Sequence, residues 1–234
     1  MTSSPFAAFG RSAGRCAALM IAGLLAACAN KPAAPDWQIN AFAALRGFST
    51  AFLNGNSRLA ELEMARARSE IAGTGRADLL ARAELTYCAV RAASLEFDNC
   101  ASYQPLAQDA GPQERAYAAF LSGRWTGIDA SLLPERYRVL ATNAAAASST
   151  GVSNTLGSVA DPLSRLVAAG VLLQTSDLSP AVIAIATETA SGQGWRRPLL
   201  AWLGLQFKRA ADAGDADAAA RVQRRINMVL QKQD

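Results

Sequence analysis

Four glutamates, Glu61, Glu63, Glu70 and Glu84, lie close enough along the chain to suggest a carboxylate pair of the kind that shares acid and base work in glycoside hydrolysis. Their neighbours argue against that reading. Arg58, Arg66, Arg68 and Arg82 are interleaved with them at helical spacing, the pattern of a solvated ion-pair face. Asp212, Asp215 and Asp217 flank a glycine-containing turn but lack the further ligands and closing glutamate of a calcium loop, so capping and dipole roles account for them. The chain has no histidine, which excludes Ser-His-Asp and Cys-His catalysis as usually built and removes the commonest transition-metal ligand. There is no glycine-rich phosphate loop and no serine in a nucleophile-elbow context. What is left is recognition chemistry. Trp195-Arg196-Arg197 and Arg136-Tyr137-Arg138 combine aromatic rings with guanidinium groups, a pairing enriched at binding hot spots, and Trp125 joins them as a candidate. Read blandly, the same rings are core anchors and the same arginines ordinary surface charge.

These residues sit in a chain that reads as helix throughout. Alanine is abundant, β-branched residues are sparse, and glycine falls at segment ends. Asp36 can cap a helix from Trp37 to about Leu53, with Trp37, Ala41, Leu45, Phe48 and Phe52 on one face. Ser57 caps the next, Arg58 to Ala72, and a third runs from Arg76 to about Phe97. Asp98 to Gln108 is irregular. Pro112 opens a short helix to Ser122, Arg124 to Leu132 reads as a loop, and a further helix runs from near Pro134 through Ala147. Ser148 to Ala160, rich in Ser, Gly, Thr and Asn, is expected to be a mobile loop over a groove in preference to a boundary between two halves. Asp161-Pro162 and Ser179-Pro180 then start helices ending near Gln174 and Ser191, and Trp195 to Ala213 and Ala216 to Gln231 complete the chain. No alternating strand pattern with hairpin turns is present. The expected fold is all-α, an array of antiparallel helical hairpins.

The start of the chain has a different character. Arg11 and Arg15 precede an uncharged run, Cys16 to Ala27, too short to span a bilayer as a mature helix, which is the layout of a secretory signal peptide. Its end, Leu25-Ala26-Ala27-Cys28, resembles the lipobox of bacterial lipoproteins. The resemblance implies cleavage before Cys28, removal of residues 1–27, and a diacylglycerol plus an amide-linked acyl chain such as palmitate on Cys28, with no other cofactor. Several acyl chains together make a firm anchor. Ala29, rather than Asp, after the acylated cysteine implies sorting to the outer membrane, facing the periplasm, in preference to the inner membrane. Residues 28–36 then form a polar, proline-marked tether and residues 37–234 the helical domain. Two of the 23 basic residues and none of the 19 acidic ones fall in the leader, leaving 21 against 19, a net charge of +2. With no dense basic stripe, nucleic acid is not an expected partner. In an oxidising compartment Cys88 and Cys100 are expected to form a structural disulfide; the spacing is not that of a C-x-x-C redox pair.

The final hairpin carries a second resemblance. Leu200, Leu203-Gly204, Phe207, Ala210-Ala211, Gly214-Asp215 and Ala218-Ala219-Ala220 resemble a tetratricopeptide-type repeat, in which a small residue such as Gly204 lets two helices approach closely. The first helix is about one turn longer than the 34-residue pattern allows, and no proline marks the repeat end. The lipobox resemblance, the all-helical hairpin reading and the absence of recognisable catalytic groups together point to a non-catalytic, lipid-anchored scaffold that binds another envelope protein. The alternatives are a cell-wall or glycan enzyme using carboxylates alone, which requires two facing acids in a cleft, and a carrier of small apolar ligands, which requires a cavity lined by Trp and Phe.

Overall fold

The computed structural model describes residues 33–124, 127–143, 149–175 and 178–231. Among them the chain is all-helical, with no strand: α1 Asp36–Leu53, α2 Ser57–Ala72, α3 Ala77–Ala92, α4 Pro112–Leu121, α5 Glu135–Asn143, α6 Ser149–Ser158, α7 Pro162–Thr175, α8 Pro180–Gln193, α9 Arg196–Asp212 and α10 Ala216–Gln231. Short 3₁₀ turns lie at Gln104–Leu106 and Ala130–Leu132. Residues 1–32, on which the expected signal peptide and acylated Cys28 fall, and Trp125 lie outside the described residues.

The helix starts follow local chemistry. Asp161 accepts from the Ser164 amide at 2.8 Å and Asp215 from the Ala218 amide at 2.8 Å, each satisfying a backbone donor that the first turn leaves orphaned. Ser179 does the same for α8, with Pro180 in the first turn. At α2 the cap is Asn56, accepting from Leu59 at 3.1 Å, and not Ser57, which is the first helical residue. Gly214 takes φ +70°, and the Asp215 amide reaches back to the Ala210 carbonyl at 2.9 Å, so the chain turns from α9 into α10 within a few residues.

Two further expectations are corrected. Ser148 to Ala160 is not a loop over a groove: α6 occupies Ser149–Ser158. Its weak helix formers are held by packing, with Leu156 fully buried in the main core. The third helix does not reach Phe97 but stops at Ala92. Leu95 then adopts φ +60°, outside the helical region, and the chain turns toward Cys100.

The main core gathers Leu85, Phe120, Leu133, Tyr137, Leu140, Leu156, Ile183, Trp202 and Leu203 around α7, whose residues from Leu166 to Leu172 are all buried. A smaller cluster joins Phe48, Phe52, Met64 and Ile71 of α1 and α2 to Ala83 and Val90 of α3. α3 serves both, presenting Leu85 and Cys88 to the main core and Ala83 and Val90 to the smaller one. Cys88 and Cys100 are joined in a disulfide with their Cα atoms 5.3 Å apart, within the range such a bond spans. Where α7 crosses the end of α3 the backbones meet closely: a Cβ placed on Gly170 would lie 3.0 Å from the Ala92 carbonyl carbon and nearer still to its oxygen. At the next residue Trp202, wholly buried, donates its indole N–H to the Ala93 carbonyl at 3.1 Å.

Candidate functional site

The cleft that combines charge, aromatic surface and depth lies between α3, α4 and α5. It holds about 360 Å³. Arg82, Leu85 and Thr86, spaced three and four apart, form the α3 wall; Glu114 and Tyr117 face them from α4; the turn Ser131–Pro134 and Arg138 of α5 close the third side. Glu114 is 7% exposed and would be costly as a lone buried charge. Arg82 neutralises it, Nε donating to Oε1 at 2.5 Å. Across the cleft Arg138 donates through Nε to the Leu133 carbonyl at 3.0 Å, and lies near enough to Asp129 to help hold that carboxyl below the usual range, after the Ser131 hydrogen bonds that do most of it. Each arginine is thus fixed by Nε, and the terminal nitrogens are the atoms left to meet a ligand. The floor is aromatic. Tyr117 stacks on Tyr137 with ring centroids 5.8 Å apart, and Tyr137 lies 4.8 Å from Phe120. Burial pushes the Tyr117 hydroxyl well above its ordinary pKa and raises that of Tyr137 as well, so both rings stay neutral through the physiological range.

Comparison with family models, curated proteins and solved structures finds no match for this chain.

The residues picked from sequence are dispersed. Arg138 lines the cleft; Arg136, on the other flank of α5, lines a separate 550 Å³ groove with Val139, Thr155 and Val159. Tyr137 between them is 2% exposed, so its ring is a core anchor and cannot be offered to a partner. Trp195 is half-buried against both core clusters. The Nε of Arg196 is buried with no partner among the described residues. Arg197 is a clasp. It donates to the Phe52 carbonyl at 2.8 Å, to Ser57 Oγ at 2.5 Å and to Glu96 at 3.0 Å, and its guanidinium lies 4.2 Å from the Phe52 ring centre.

Sequence reasoning missed Arg82, Glu114 and Tyr117 as a group. The signal was faint: 32 residues separate Arg82 from its acid, and only the fold brings them together. The four-glutamate idea resolves otherwise. Glu84 is buried and held by Arg68 through two bonds of 2.6 and 2.8 Å, a fork that leaves it no free acid role. Among the described residues no cluster of three or more potential metal ligands occurs, and no helix is long and apolar enough to cross a membrane.

Proposed function

We propose that the chain is a lipid-anchored, periplasm-facing lipoprotein of the outer membrane, whose helical body binds a segment of another envelope protein without catalysing a reaction. The observation that carries the non-catalytic part is the state of the buried acids. Glu84 and Glu114 each face an arginine at 2.5–2.8 Å, and the cleft lining contains no second carboxylate opposite Glu114. Acid–base chemistry on a glycan needs two acids facing a shared bond, one of them able to hold a proton. The cleft offers arginine forks over an aromatic floor instead, which suits a segment bearing a carboxylate or backbone carbonyls beside an apolar side chain. The helical array, with the repeat-like sequence of α9 and α10, supports the scaffold reading. An apolar-ligand carrier finds less support: the cleft that Phe48 and Phe52 line holds about 180 Å³ and has Arg91, Glu96 and Arg197 in its walls.

The test is affinity purification of the tagged, lipid-anchored protein after mild cross-linking of intact envelopes, read by mass spectrometry. The reading expects one dominant envelope partner that is lost with Arg138→Ala and kept with Arg225→Ala, a change at an exposed ion pair far along the chain. Capture unaffected by Arg138→Ala, or an empty purification, would overturn it.

A further inference from the structure

Half of the large apolar side chains exposed to solvent stand near the start of the described chain. Of eight among the described residues, four stand on the first two helices: Ile39 (54% exposed), Phe42 (64%), Leu59 and Leu62. Ile39, Phe42 and Arg46 recur at intervals of three and four, so they share one face of α1, away from the face where Ala41, Ala44 and Phe48 are buried. The Arg46 guanidinium lies 5.9 Å from the Phe42 ring centre. A groove of about 510 Å³ continues that face past Ala43 and Thr50 to Leu59 of α2.

We infer that this face of α1 rests on the lipid surface, with Ile39 and Phe42 entering the interfacial layer. The inference depends on the lipid-anchor reading given above. Eight residues carry the chain from Cys28 to Asp36, a reach of at most about 27 Å. The start of α1 therefore stays within that distance of the bilayer holding the acylated cysteine, and Ile39 and Phe42 lie in its first two turns. The pairing of Phe42 with Arg46 suits the boundary, because the ring can enter the acyl region while the guanidinium stays among the headgroups. Across α1 and α2 four arginines meet four acids, so the attraction is apolar and needs no anionic lipid. Tethering makes the contact intramolecular, which lets a small apolar face suffice.

The experiment uses the mature, acylated full chain in phosphatidylcholine vesicles containing lipids brominated near the headgroup end of the acyl chains. Phe42→Trp and Val139→Trp are compared after subtraction of the native tryptophan signal. Val139 is 55% exposed and on a different part of the body. The inference expects at least twofold stronger quenching at position 42 than at 139. Equal quenching, with the acyl mass present on Cys28, overturns the docking and leaves the anchor standing. Absence of that acyl mass removes the anchor and the docking together. Cross-linking of residue 42 to a protein rather than to lipid in native envelopes also overturns it.

Discussion

Replacing Gly170 by alanine tests the tightest point of the fold. In an isolated helix the change would help, since alanine is favoured over glycine by about 1 kcal/mol. Here the new Cβ would stand 3.0 Å from the carbonyl carbon of Ala92, with the oxygen closer still. Carbon atoms in comfortable contact sit about 3.5–4.0 Å apart, so α3 and α7 would have to separate by roughly 0.5–1 Å. No flexible side chain can absorb this, because the obstructing atoms are backbone. Overpacking of this kind costs about 1–3 kcal/mol, and a backbone obstacle places it at the upper end. The separation would also stretch the bond from Trp202 to the Ala93 carbonyl, adding about 1 kcal/mol. Net of the propensity gain, Gly170→Ala is expected to destabilise by about 2–3 kcal/mol, a fall in Tm of roughly 4–12 °C for a chain of this size. Urea denaturation followed by circular dichroism measures it. Gly204→Ala is the control: an added Cβ there meets nothing within 4 Å, so the propensity gain stands alone and stability should rise by about 0.5–1 kcal/mol. If Gly170→Ala is as stable as the parent, or gains as Gly204→Ala does, the close crossing of α3 and α7 is wrong.

Cys100→Ser opens the 12-residue link to Cys88 and should cost about 3 kcal/mol, an effect that reductant reproduces in the parent and not in the variant. Three of the four tyrosines, Tyr103, Tyr117 and Tyr137, have hydroxyl pKa values raised first of all by burial. A raised folded pKa means a contribution that is complete below the unfolded value near 10 and is lost as pH climbs above it. Absorbance at 295 nm should therefore show these phenols ionising together with alkaline unfolding, and their ionisation in a still-folded protein would refute their burial. Arg197→Lys keeps the charge but loses the fork onto Phe52, Ser57 and Glu96, and should cost about 1–3 kcal/mol in denaturation. Arg136→Lys, at an exposed site over the Tyr137 ring, should stay within about 0.5 kcal/mol.

The helices were legible wherever apolar spacing and a cap coincided. Phe48 and Phe52 on one face of α1, Asp161-Pro162 before α7 and Ser179-Pro180 before α8 are local signals read locally. α6 was not legible, because Ser149–Ser158 has weak intrinsic helix formers and depends on burying Leu156 in a core assembled from distant segments. The disulfide was legible as a pairing, since two cysteines in the helical body allow one choice. The close helix approach was looked for at Gly204, on the strength of the repeat-like pattern, and occurs at Gly170. Composition names a small residue without saying what faces it. The cleft was legible only in Arg138. A sequence motif gathers residues within a few turns, whereas Arg82 and Glu114 become partners through the packing of α3 on α4.

The Arg197 clasp has a mechanical consequence. It joins α9 to the end of α1 across 145 residues of chain. α10, which packs chiefly on α9 and has no fully buried residue, is placed to open first. α1 is different: Phe48 and Phe52 are buried, and the carbonyl of Phe52 is gripped from the far third of the sequence. Amide hydrogen exchange should therefore be fast along α10 and slow along the second half of α1. A force applied at the start of α1 would meet the clamped helix, and the load would pass into α9 before α1 could peel away.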